Sequence, residues 1–269
     1  MFKNKFYVID SHCHIYPEKI AVKAAESTGT FYEEKAFCNG TVLQMFEKGI
    51  ASGIDRFIVQ SVATAPKQVA KINEFISEEV KTHPDLLIGL GTLHPESEDI
   101  EGDIKHLISL GLKGVKLHPD IQGFKIDDYR CLKIYEICER ENLPILMHTG
   151  DKRYDNSNPN RLLPVLKIYK NLTVIGAHFG GWSIWEEASK QLCDVPNLYV
   201  DCSSSLSYIP LETSKEIIRR YGADKVLFGT DYPLHDPINE MGYLEALQLE
   251  DSEYQAIFSE NAKKIFKID

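Results

Sequence analysis

Cysteine is sparse and unpaired in this chain: Cys13, Cys38, Cys131, Cys138, Cys193 and Cys202 form no CxxC pair and no dense framework. That spacing argues against a disulfide scaffold and for reduced thiols. Long apolar runs are missing too, with none approaching the ~20 residues that a membrane span requires. The opening stretch MFKNKFYVID runs straight into strand-like sequence and is too short for a secretory signal. A soluble, cytoplasmic protein is the expectation. Positive charge is in deficit, with 30 lysines and arginines against 40 acids and a formal net charge of -10. This balance disfavours nucleic-acid and anionic-membrane partners. An anionic small substrate stays open, because the local charge of a cleft decides that. No Pro-, Gly- or Ser-rich linker divides the chain, so residues 1–269 are read as one domain.

What is present is ordinary globular material, 43% hydrophobic and 26% charged, enough for a large core. Short runs rich in Val, Ile and Leu recur: FYVIDSHCH, DRFIVQSV, LLIGLGTL, GVKLHP, PILMHTG, TVIGAHFG, NLYVDCSS and KVLFGTDYP. Helix-like stretches alternate with them. DDYRCLKIYEICEREN shows the helical period, with Leu132, Tyr135, Cys138 and Glu139 near one stripe. Eight strand signals alternating with helices imply a parallel sheet, and eight repeats point to a closed (β/α)8 TIM barrel. One long loop, about residues 15 to 40, follows strand 1. It would lie over the catalytic face, with Phe31, Tyr32 and Phe37 as parts of a lid.

DSHCH, residues 10 to 14, places His12 and His14 two apart on a strand, so alternation sends both imidazoles to one face and Cys13 to the other. Two histidines aimed at one point suggest a metal. In a (β/α)8 barrel the functional residues sit at the C-terminal ends of strands. Those ends are polar here: His12 and His14 on strand 1, Lys116 and His118 on strand 4, His148 on strand 5, His178 on strand 6, Asp201 and Ser203 on strand 7, and Asp231 on strand 8. His94 and His118 each stand in an LHP triplet that suits a loop anchor. Asp10 reads as a structural hydrogen-bond acceptor, and His83, His106 and His235 carry no hypothesis.

Taken in order, DSHCH, GVKLHP, PILMHTG, VIGAHFGG, VLFGTDYP and the C-terminal SENAKKIF resemble the amidohydrolase superfamily, in its amidohydrolase-2 branch. The resemblance covers nearly the whole length. It implies that His12, His14, His148 and Asp231 bind one divalent metal. A nitrogen and oxygen set suits Zn²⁺ best, with Mn²⁺, Fe²⁺, Co²⁺ or Ni²⁺ also fitting. The metal would bring the pKa of its water toward ~7. Asp231 would take the water's proton, and His178 would hydrogen-bond the water or the developing oxyanion. In two-metal relatives a lysine on strand 4 is carboxylated and bridges both ions. VKLHP looks like the one-metal branch, so Lys116 is read as a neutralising group or substrate contact.

Arg153 is a further substrate-binding candidate, since a guanidinium grips a carboxylate bidentately. Lys152 and Arg161 share its neighbourhood. Trp182 is read as a pocket wall, His118 as a substrate contact, and Trp185 as helix packing. The leading function is metal-dependent hydrolysis of a small ester, lactone or amide. The same branch contains non-oxidative decarboxylases of aromatic or muconate-type acids, such as aminocarboxymuconate-semialdehyde decarboxylase, and the ligand residues do not separate the two. A catalytically inactive binding barrel is the third reading, which an intact ligand set argues against. The expected partner is a small-molecule substrate, open to being anionic, and a homodimer is an allowed assembly.

Overall fold

A computed structural model describes residues 5–269 of the chain. Eight parallel strands form the barrel, labelled by order. They are strand 1 (Ile9–His14), strand 2 (Arg56–Gln60), strand 3 (Leu87–Gly89 with Gly91–Thr92), strand 4 (Val115–Leu117), strand 5 (Ile145–Met147), strand 6 (Val174–Gly176), strand 7 (Leu198–Asp201) and strand 8 (Val226–Leu227). Strand 3 is interrupted at Leu90. Its amide still bonds Val59 O on one side at 2.9 Å, while the Gly91 amide bonds Gly114 O on the other at 2.9 Å, so the ladder continues across the break. Glycine is required at the second half, because a Cβ on Gly91 would lie 2.3 Å from Leu107 of the covering helix Ile100–Ser109. The seam between strands 8 and 1 closes through Ser11 N to Phe228 O (2.9 Å) and His14 N to Tyr232 O (2.6 Å).

Strand residues alternate between two cores. Ile9, Ile58, Ile88, Leu90, Leu146, Ile175, Tyr199 and Leu227 fill the barrel interior, joined by Ala262, Ile265 and Phe266 of the C-terminal helix. Val59, Val115, Leu117, Val174 and Val200 face outward against the helices. The helix stripe of Leu132–Arg140 differs from the sequence reading. Ile134, Tyr135, Ile137 and Cys138 are buried, whereas Leu132 is 37% exposed. All six cysteines are free thiols. No helix among the described residues is long and apolar enough to cross a membrane.

The segment after strand 1 is not the loop expected but carries the 15-residue helix Glu18–Tyr32. Ala21, Ala25, Gly29 and Tyr32 face the protein. Its C-terminus ends on Glu33 in the left-handed region, whose amide bonds Thr30 O. Phe31 and Tyr32 do reach the catalytic face, but Phe37 is 56% exposed and lies beneath Lys48 on the outside.

Asp10 is the polar lock on the seam. Its buried carboxylate accepts from the amides of His12 (3.1 Å) and Thr230 (3.0 Å) and from the Thr230 hydroxyl (2.6 Å). Asp10→Ala leaves these donors buried without a partner, each at a cost of about 1–3 kcal/mol, so a loss of at least ~3 kcal/mol is expected. The urea midpoint reads it. A midpoint within error of the parent would show that the seam does not depend on this carboxylate.

Candidate active site

The strand 1–strand 2 register slips between Asp10 and Cys13. Such a bulge re-aims side chains, and here both His12 and His14 line the cavity while Cys13 packs in the outer core. Five imidazoles then run in a line at the top of the barrel. Ring centroids are 5.2 Å apart for His14–His12 and for His12–His178, 5.0 Å for His178–His148, and 3.9 Å for the parallel pair His148–His118. Backbone strain concentrates at the same end. His178 (φ 60°), Phe179 (52°), Ser204 (47°) and Asp231 (59°) all occupy the left-handed region, at roughly 1–3 kcal/mol each.

Hydrogen-bond partners fix which ring nitrogens carry protons, because carboxylates and carbonyls only accept. His12 Nδ1 lies 2.9 Å from Asp201 Oδ2, so it donates there, and its Nε2 presents a lone pair. That Nε2 is 3.2 Å from His14 Nε2 and 3.4 Å from Asp231 Oδ1, while His14 Nε2 is 3.7 Å from the same oxygen. Two imidazoles and a carboxylate thus gather their ligand atoms within 4.8 Å. Lone pairs crowded together repel unless a cation sits among them. The Lys116 ammonium is one, 2.9 Å from His12 Nε2. The donor set equally fits a divalent ion, with Asp201 orienting His12 from behind as an outer carboxylate does at metal sites.

His148 stands one position farther along the row. Its Nε2 donates to Gly150 O at 3.1 Å, leaving Nδ1 3.2 Å from His178 Nε2 and 3.4 Å from the Tyr32 hydroxyl. His178 Nδ1 donates to Ser203 O at 2.9 Å, so His178 Nε2 is an acceptor. The structure therefore brings His12, His14 and Asp231 into one tight group, with His148 adjacent through His178 rather than within it. His118 accepts the Ile121 amide on Nδ1 (3.3 Å) and meets the Tyr32 hydroxyl at 2.6 Å, so it both anchors its loop and faces the cavity.

Burial dominates the electrostatics. It holds His12, His14, His118 and His148 well below the ordinary histidine range and His178 down to about 3. Burial raises Asp231 to about 7, opposed by the Ser204 hydroxyl (2.6 Å from Oδ2) and by the Lys116 charge. It lowers Lys116 to about 8, opposed by Asp231 and Asp201. Neutral imidazoles are the state that binds metal.

The row of imidazoles forms the floor of a cavity of about 810 Å³, which also takes in Lys116 and Asp231. Two expected substrate contacts are placed elsewhere. Arg153 pairs with Asp151 through Nη2 at 2.7 Å, donates to Phe31 O at 2.8 Å, and lies over the rings of Phe31, Tyr32, Tyr154 and Trp182. Held by these contacts, it braces the end of helix Glu18–Tyr32 and does not line the cavity. Trp182 packs edge-on against Tyr32 at 5.0 Å behind the same wall. Lys152 is exposed, and Arg161 is paired with Asp127 and Asp155. Trp185 stacks on Tyr208 at 5.8 Å, in keeping with helix packing.

Comparison with known proteins agrees with this architecture. Over 206 residues, the chain is 26% identical to a 2-amino-3-carboxymuconate-6-semialdehyde decarboxylase of Dictyostelium discoideum, a match covering 63% of this chain and 57% of that protein. The chain therefore spans little more than half the length of that relative. It is 21% identical over 282 residues to the uncharacterized metal-dependent hydrolase YabD of Bacillus subtilis (strain 168), covering 97% of this chain and all of that one. An uncharacterized TIM-barrel protein of Bordetella bronchiseptica, Bb4693, superposes with a TM-score of 0.81 at 20% identity, over 97% of this chain and 99% of that one. The amidohydrolase family model matches residues 9–268. That match spans nearly every residue of the barrel, and the chain belongs to the amidohydrolase family.

Proposed function

We propose that the protein is a metal-dependent hydrolase of small-molecule esters, lactones or amides. The observation that carries this reading is the convergence of His12 Nε2, His14 Nε2 and Asp231 Oδ1 on one point in the floor of the cavity. These residues would hold a divalent ion, with His148 as the fourth expected ligand and zinc favoured by the nitrogen and oxygen donors. Such an ion supplies Lewis acidity and makes water more acidic near neutral pH.

The chain's own groups account for the proton traffic. Asp231 accepts the proton of the attacking water and returns it to the leaving group, while Ser204 holds its Oδ2 and leaves Oδ1 facing the site. His178, committed to Ser203 O through Nδ1, offers Nε2 only as an acceptor. Its part is therefore to orient the water, not to donate to an oxyanion. Lys116 brings a buried positive charge toward which the oxyanion can develop.

Decarboxylation of an unsaturated or aromatic acid is the second reading, favoured by the likeness to the Dictyostelium decarboxylase. Product analysis separates the two. Zinc-loaded protein is screened against paired panels of lactones, amides and unsaturated carboxylic acids in ¹⁸O-labelled water. Hydrolysis places solvent oxygen in the new carboxylate. Release of carbon dioxide without that label would replace the first reading by the second.

A further inference from the structure

The cavity reverses the charge of the molecule around it. The whole chain carries a formal -10, yet the charged side chains on the cavity lining, histidines aside, are Lys67, Lys71, Lys116 and Asp231. Lys116 belongs to the floor. Lys67 and Lys71 stand at the mouth, one turn apart on the helical stretch formed by Pro66–Gln68 and Val69–Thr82. Like charges four residues apart on a helix face repel. Among the described residues neither lysine has a carboxylate within ion-pair distance or a ring partner, and the first turn of Val69–Thr82 holds no acid.

Between this pair and the imidazole floor the walls are mainly apolar, with the hydroxyls of Ser27, Thr28 and Ser61 among them. Ile20, Ala24 and Phe31 project from one face of helix Glu18–Tyr32, and Ile72 and Phe75 come from the opposite wall. Ile20 is 52% exposed, an open apolar face at a cavity mouth. A volume of about 810 Å³ lies toward the upper end of small-molecule sites. We propose that Lys67 and Lys71 form a distal anion subsite, so that the enzyme takes amphipathic acids. The reacting group lies at the His12–Asp231 end, an apolar body runs along the two helices, and a carboxylate sits at the mouth. This rests on the imidazole floor being the reactive end, and on nothing about which bond breaks there.

The test reads binding and not turnover, using 6-phenylhexanoate and its neutral isostere 6-phenylhexanamide on the zinc-loaded protein by titration calorimetry at low salt. Charge-assisted contacts predict that the acid binds about tenfold more tightly than the amide. In the double variant Lys67→Gln, Lys71→Gln this preference should shrink to about twofold or less, with the affinity for the amide and the melting temperature unchanged. A preference that survives in the double variant would place the acid elsewhere, at Lys116 or the metal, and overturn the proposal. Equal affinity for both probes in the parent protein, or binding of neither, would also overturn it. A missing ¹⁸O label in the product assay would leave this subsite standing while removing the hydrolytic reading.

Discussion

Asp231→Asn is expected to lower turnover by roughly 10²–10⁴-fold while the barrel stays folded. Asn matches the volume of Asp and tolerates the left-handed backbone found here at φ 59°. Its carbonyl can still accept from Ser204, now 2.6 Å from the carboxylate. What disappears is the negative charge toward His12 and His14, and with it any capacity to take a proton. The rate on the best substrate from the ¹⁸O screen, together with a thermal melt, measures both halves of the expectation. An Asn variant with parental turnover would remove Asp231 from the mechanism.

The second large effect is expected one layer farther out. Asp201→Asn should weaken zinc binding by about 10–100-fold. Asp201 accepts from His12 Nδ1 (2.9 Å), from the amides of His178 (3.1 Å) and Ser203 (3.0 Å), and from the Ser203 hydroxyl (2.5 Å). An amide oxygen can serve the donors on the Oδ1 side. The amide nitrogen would then face His12 Nδ1 and ask it to accept. His12 would move its proton to Nε2 and lose the lone pair now aimed at His14 and Asp231. Competition against a chromophoric chelator at fixed pH gives the affinity. Unchanged zinc binding in a folded variant would mean that the His12 tautomer is not set by Asp201.

The barrel was legible because its strands are buried on both faces and read as short apolar runs, each ending where polar residues gather. His12, His14, Lys116, His118, His148, His178 and Asp231 could be placed on one cavity for that reason. Helix Glu18–Tyr32 was hidden by its packing. It meets the protein through small residues, Ala21, Ala25 and Gly29, which give little hydrophobic periodicity. Gly29 is needed because a Cβ there would lie 2.5 Å from Glu34 O, and in the sequence it looks like a loop residue. Arg153 was misplaced for a different reason. Composition shows a cation near the site but not that Asp151, two residues earlier, already holds it. Asp201 was visible at a strand end, yet its work on His12 crosses 189 positions of sequence, and no local pattern records that. Lys67 and Lys71 resemble any solvated helix lysines until the opposing wall is in view.

That wall has a consequence for how such an enzyme diversifies. The Tyr16 amide bonds Gly40 O at 3.0 Å, so the chain leaves and re-enters the barrel at nearly one point. Lengthening or replacing what lies between alters loop-closure entropy only slowly with residue number. Residues 17 to 39 contribute Ile20, Ala24, Phe31 and Tyr32 to the cavity, while the groups read as reactive are all carried on other segments. One wall of the cavity and the groups proposed to react thus lie on separate lengths of chain. A cassette exchanged at the Tyr16–Gly40 junction would change which body the cavity accepts while the floor beneath it is passed on intact.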